Sequence, residues 1–263
     1  MEGNYFGYAK IVPHLDVLQK SPIMCSEHSN PKCYARTLGD CSEKISKEHY
    51  ISHSLLKILA GSDTLDVSGF PWLNGSSIKT SQSGLTASFL CKKHNEQLSS
   101  FDGEALKFFN HLRYKVPQKN EAFEIDGGLL EKWCLKLLVG IVILQHGKEN
   151  IPDRKWLEVL YRNRELSNGE GLYIPRNGGS RGVYNEVQIE LKINEIKKSV
   201  LGVFIQSGWF RCYFCVDPSE FPQGDFVYRP SFVGIQYPDQ RRGVGLGWSG
   251  TGVVFKGPIP EYL

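Results

Sequence analysis

The sequence lacks any long apolar run: the longest, Trp133 to Leu144, is interrupted by Lys136 and stops short of the ~20 residues a bilayer-crossing helix needs. That excludes a conventional membrane-spanning helix. Also missing is a basic start followed by an apolar stretch and a small-residue cleavage site. Met1 to Tyr8 is polar, and Pro13 and Asp16 break up the apolar stretch behind it. No secretory signal is therefore expected, and the chain reads as cytoplasmic with no membrane partner. Strong charge of either sign is absent; a net charge of +3 permits a polyanionic partner without arguing for one. There is no internal repeat and no low-complexity tract.

What is present is an ordinary folding composition. With 263 residues, 41% hydrophobic and 12% aromatic, the chain can bury a substantial core, and disorder is set aside. Cysteine is used unevenly. Of seven in all, Cys25, Cys33, Cys41 and Cys91 fall in the first 91 residues among several histidines. In a reducing compartment such clustering favours metal ligation over disulfides. Cys212-x2-Cys215 resembles another metal knuckle, but no second Cys or His pair comes after it, and the strand-like text from Trp209 to Val216 makes these buried thiols. Cys134, on an apolar helix, reads as core.

Three stretches differ in texture. Residues 1–32 read as an extended lead-in; 33–115 as a compact turn-rich segment ending in a helix; 116–263 as a helical part followed by β-structure. Ser52 to Leu59 reads as a short helix. Asp102 reads as the N-cap of a helix running to about Tyr114, with Ala105, Phe108, Phe109 and Leu112 at helical spacing. From Gly128 to His146 apolar residues cover almost the whole circumference, as in a buried central helix that favours a shared core. A shorter helix begins after Pro152, with Trp156, Val159 and Leu160 on one face. Beyond residue 170, alternation over Val187–Ile193, then Leu201–Phe214, Phe226–Ile235 and Gly252–Phe255, predicts four or more antiparallel strands. Arg241-Arg242 and the glycine-rich text from Gly243 to Gly250 read as a β-turn region, because no Lys-Ser/Thr ending or subsequent helix completes a phosphate cradle.

The chemistry-bearing text is Cys33 to Cys41, then Glu48-His49 with His53 beyond, and after some forty residues Cys91-Lys-Lys-His94-Asn95. An acid–His pair behind one cysteine knuckle, followed by a Cys-x2-His-Asn knuckle, resembles the HNH (His-Me finger) endonuclease family. The resemblance spans about Cys33 to Leu112. It implies an N-terminal ββα-metal module; joined to the helical middle and C-terminal antiparallel sheet read from the pattern, the expected fold class is α+β. It also implies two metal sites. Thiolate and imidazole suit zinc, so Cys33, Cys41, Cys91 and His94 form the structural site. Carboxylate and amide oxygens are hard ligands, so Glu48 and Asn95 hold Mg²⁺ or Mn²⁺. His49 is then the general base that activates water against a phosphodiester. Lys92, Lys93 and His53 are the candidates for contact with nucleic acid, DNA before RNA. The C-terminal part is a place for a protein partner.

Two departures bear on this reading. The first knuckle is Cys-x7-Cys, and Cys25-x2-His28 lies nearby as an alternative pair with conventional spacing. The family's middle Asn is replaced by Thr86, so its role falls to the Thr hydroxyl, moves to Asn74 or is lost. Asp102 is an N-cap or an outer metal ligand. The rival function is a zinc-stabilised binding module for nucleic acid or protein whose catalytic centre has decayed.

Overall fold

The computed structural model describes residues 29–60, 64–70, 73–81, 84–112, 124–146, 152–176, 186–194, 196–197, 199–207, 210–220, 225–237 and 241–248. The expected lead-in, with Cys25 and His28, and the expected strand Gly252–Phe255 lie outside these residues. The fold is mixed α+β, with helices packed against several sheets. Among the described residues no helix is long and apolar enough to cross a membrane.

The central helix forms as its pattern predicts. It is α4, Gly127–His146, entered through Asp126, whose side chain accepts the Leu129 backbone N–H at 3.0 Å, a cap that satisfies one of the helix's free donors. Leu130, Trp133, Cys134, Leu135, Leu137, Leu138, Val139, Ile141 and Val142 are all buried. At roughly 1.5–3 kcal/mol for each large apolar side chain taken from water, packing rather than local propensity holds this helix. Against it lie α3, Ser99–Leu112, and α5, Arg154–Tyr161, whose N-cap Asp153 accepts the Lys155 N–H. The helix preceding α3 is α2, Lys92–Gln97, and α1 spans His53–Ala60. Asp102 is therefore not an N-cap: α3 begins three residues earlier, and Asp102 sits inside its first turn.

Two strands frame the N-terminal part. β1, Ile45–His49, pairs antiparallel with β4, Thr86–Cys91, in a two-stranded sheet of their own, and β4 runs straight into α2. Between them the chain makes α1 and two short strands, β2 (Leu65–Ser68) and β3 (Ser77–Thr80).

These two strands belong to a larger sheet. β6 (Gly171–Pro175), β7 (Glu186–Asn194), β8 (Ser199–Ser207), β9 (Phe210–Cys215) and β10 (Phe226–Tyr228) join them in the order β10-β6-β9-β8-β7-β2-β3. The antiparallel expectation holds for β6 to β10, but β2 runs parallel to β7. The expected continuous strands 201–214 and 226–235 are each broken in two. The second break separates sheets: β11, Phe232–Gln236, leaves the seven-stranded sheet and pairs with β12, Arg241–Gly247, which in turn runs parallel to β5, Glu124–Asp126. The region 241–247, expected as a β-turn, is thus a strand. Its glycines allow close packing: a Cβ on Gly243 would stand 2.2 Å from the Phe232 ring. One hydrophobic cluster takes residues from Cys33 through α4 to Leu246.

Candidate functional site

The four soft-ligand residues come together from two local structures. After Cys33 the chain makes a 3-10 turn, Arg36–Leu38, ended by Gly39 at φ 79°, a left-handed conformation glycine adopts without steric penalty. That turn folds the seven intervening residues back, so both thiols of the unusual Cys-x7-Cys face the same point. Asn30 ties the loop shut by donating to the Glu43 carbonyl at 2.8 Å. On the other side, Cys91 closes β4 and His94 lies one turn into α2, a spacing that sets both on one helix face.

The ligand atoms of Cys33, Cys41, Cys91 and His94 all lie within 4.8 Å of one another. The three sulfurs stand 3.5, 3.8 and 3.2 Å from His94 Nδ1. For zinc with S at ~2.3 Å and N at ~2.0 Å, a tetrahedral S···N edge is about 3.5 Å. The group can therefore hold a zinc-type ion. Burial pushes the Cys33 thiol well above its ordinary range; a dication shared by the thiolates reverses that cost.

Asp40, which sequence reasoning passed over, completes the arrangement. Its Oδ1 stands 3.0 Å from His94 Nε2, so the ring's other nitrogen faces the sulfurs, as in carboxylate–histidine–zinc triads. Partial burial pushes the Asp40 carboxyl up, but hydrogen bonds from Lys93 and His94 and the charge of Arg162 hold it below the usual carboxylate value. Its only signal in the sequence is its place immediately before Cys41. Asp40→Asn is expected to weaken zinc binding about 10- to 100-fold while leaving the ligand set intact, read as a lower chelator concentration at half loss of zinc. Unchanged resistance to chelator would remove Asp40 from this role.

Next to this group lies a buried polar cluster. Glu48 is 6% exposed and meets the ammonium of Lys136, itself 3% exposed, on α4. Lys136 Nζ also lies 2.8 Å from each Asp102 carboxylate oxygen. Ser52 donates its hydroxyl to Asp102 at 2.5 Å and accepts the Trp133 indole N–H at 2.9 Å. Asn95 donates to Ser46 Oγ at 3.0 Å and lies close enough to Glu48 to favour its ionised form. Burial raises the Glu48 carboxyl, a shift that Lys136 opposes without cancelling.

His49 comes directly after Glu48 at the end of β1, its ring stacked on that of His53 with centroids 4.9 Å apart. Its Nε2 is buried and has no hydrogen-bond partner among the described residues. Burial, His53 and Lys136 together lower its pKa, which favours the neutral imidazole; Asp102 opposes this.

Other candidates named from the sequence fall nearby or are spoken for. Thr86 stands directly opposite His49 in the β1–β4 pair, whereas Asn74 lies in a left-handed turn leading to β3. Lys93 is committed to Asp40 at 2.9 Å, and Lys92 lies 3.7 Å from Glu96 on the solvent side. Cys212 and Cys215 are buried in β9 and Cys134 in α4, as expected of core thiols. Lys136, Ser52 and Trp133 were missed as site residues; Lys136 showed only as a break in an apolar run.

Compared with known proteins, the chain matches no protein-family model, no curated protein and no solved structure.

Proposed function

We propose that this chain is a zinc-braced, metal-dependent endonuclease of the HNH type that hydrolyses phosphodiester bonds of nucleic acid, DNA before RNA. One observation carries the reading: Asn95, which directly follows His94 of the Cys33, Cys41, Cys91 and His94 group, bonds Ser46 on β1 at 3.0 Å and so lies beside the strand end that bears Glu48 and His49. The order of parts supports it. An antiparallel pair, β1–β4, runs into a helix that bears the last residue of the set, an order of elements that a ββα-metal module would require.

In this reading zinc on the four soft ligands is structural and fixes the start of α2, and with it Asn95. Glu48 and the amide oxygen of Asn95 are the hard donors for Mg²⁺ or Mn²⁺. The carboxylate already carries a cation, the Lys136 ammonium, so its surroundings tolerate positive charge. When bound there, a divalent ion offsets charge on the scissile phosphate and the leaving oxygen. The chain's own step belongs to His49. Its neutral, unpartnered nitrogen takes a proton from water as the water oxygen bonds to phosphorus and the opposite P–O bond breaks, releasing the leaving oxygen of the cut strand; Thr86, paired with His49 across β1–β4, is the candidate to orient the base-bearing strand end. Lys92 and His53, both exposed, are available to phosphates.

The rival binding module has one observation in its favour: Lys136 pairs with Glu48 and joins it to the hydrogen-bonded Asp102, Ser52 and Trp133. Supercoiled plasmid incubated with zinc-loaded protein separates the two. Nicking that requires added Mg²⁺ or Mn²⁺ supports the enzyme; intact plasmid and intact RNA under all metal conditions support the binding module.

A further inference from the structure

Lys136 lies at the junction of two carboxylates that belong to different elements. Glu48 is on β1, Asp102 is on α3, and Lys136 reaches both from α4. All three are withdrawn from water to a large degree: the Lys136 side chain is 3% exposed, that of Glu48 8% and that of Asp102 26%. Two carboxylates and one ammonium leave a formal deficit of one positive charge in a low-dielectric setting, where such a deficit matters more than at the surface.

The two contacts of Lys136 are not equivalent. Asp102 is fixed by the Ser52 hydroxyl, which is fixed in turn by Trp133, and it meets the ammonium with both oxygens. Glu48 meets the ammonium through Oε1 as an ion pair without hydrogen-bond geometry, with Asp102 and Asn95 also close to it. A dication arriving at Glu48 and Asn95 therefore need break only the Glu48 contact, while Lys136 keeps its paired bonds to Asp102.

Resting on the nuclease reading, we infer that Lys136 is a resident competitor of the divalent metal at Glu48, held in reserve on Asp102, and that it sets the metal concentration the centre requires. Removing the ammonium by Lys136→Met leaves Glu48 free for the metal and raises Mn²⁺ affinity about tenfold or more. Asp102→Asn acts in the opposite sense: it weakens the ammonium's other anchor, concentrates it on Glu48 and lowers Mn²⁺ affinity.

The test is Mn²⁺ titration of zinc-loaded protein, read by loss of the free-ion paramagnetic resonance signal and by the Mn²⁺-dependent rise in melting temperature. Lys136→Gln doubles the first variant should Lys136→Met not fold, and Glu48→Gln identifies the site by losing the binding. Affinity that rises in either Lys136 variant and falls in Asp102→Asn is the expected result. Metal-dependent plasmid nicking combined with Mn²⁺ affinity that does not move with residues 136 and 102 overturns this inference alone. Absence of both nicking and Mn²⁺ binding in every folded protein overturns the nuclease reading and this inference with it.

Discussion

Cys91→Ser is expected to lower bound zinc from about one per chain to near none and to take the N-terminal part of the fold with it. Binding at structural zinc sites is on the order of 10 kcal/mol or more at neutral pH, comparable with the whole stability of a typical domain. Cys91 is fully buried and lies at the joint between β4 and α2, and its sulfur also accepts the Ser42 backbone N–H at 3.3 Å. Its loss therefore releases both halves of the ligand set: the loop from Cys33 to Ser42 and the first turn of α2. The melting temperature should fall by more than ~10 °C, since each kcal/mol shifts a protein of this size by a few degrees. Cys215→Ser is the control, a buried core thiol on β9 far from the ligand set in sequence, and should retain full zinc. Elemental analysis and thermal melting of the three proteins check this; stoichiometric zinc and unchanged melting in Cys91→Ser would remove the metal from the account.

His49→Ala is expected to reduce nicking by about 10²- to 10⁴-fold, the usual share of a general base, while leaving zinc content and melting nearly unchanged. The geometry separates the two effects. His49 contributes a stacking contact with the exposed His53 ring, and its Nε2 makes no hydrogen bond among the described residues, so little stabilising structure depends on it. Glu48 is different: it is buried against Lys136, and truncating it takes one of two carboxylate partners from an interior ammonium, which is then held by Asp102 alone, so stability falls as well as rate. Rates per chain measured on supercoiled plasmid, with melting curves alongside, distinguish them. A His49→Ala protein that cuts at the wild-type rate would take away the base assigned here.

Features written in local spacing were legible in the sequence. The full apolar circumference of 128–146 gave α4 to within a residue, and the Cys91-x2-His94 step announced two ligands on one helix face. Cys33 and Cys41 could be named, but the reason their wide spacing works could not: it depends on a 3-10 turn closed by Gly39. Pairings between distant parts were not legible. β2 and β3 are four-residue strands within a turn-rich stretch, and the parallel match of β2 with β7 carries no local signature. β12 is so rich in glycine that it reads as a turn until β11 and β5 flank it. Lys136 is the sharpest case. In sequence it interrupts an apolar helix; in the fold it is the cation on which Glu48 and Asp102 converge. Asp102, likewise, suits a helix cap by type, and only tertiary packing turns its carboxylate toward a buried ammonium.

Zinc-edge X-ray absorption of the purified protein reads the Cys33, Cys41, Cys91 and His94 site itself. Three sulfur scatterers at ~2.3 Å and one nitrogen at ~2.0 Å, with about one zinc per chain, is the predicted result. Protein that is folded yet carries no zinc, or a zinc coordinated by oxygen and nitrogen without sulfur, would contradict it.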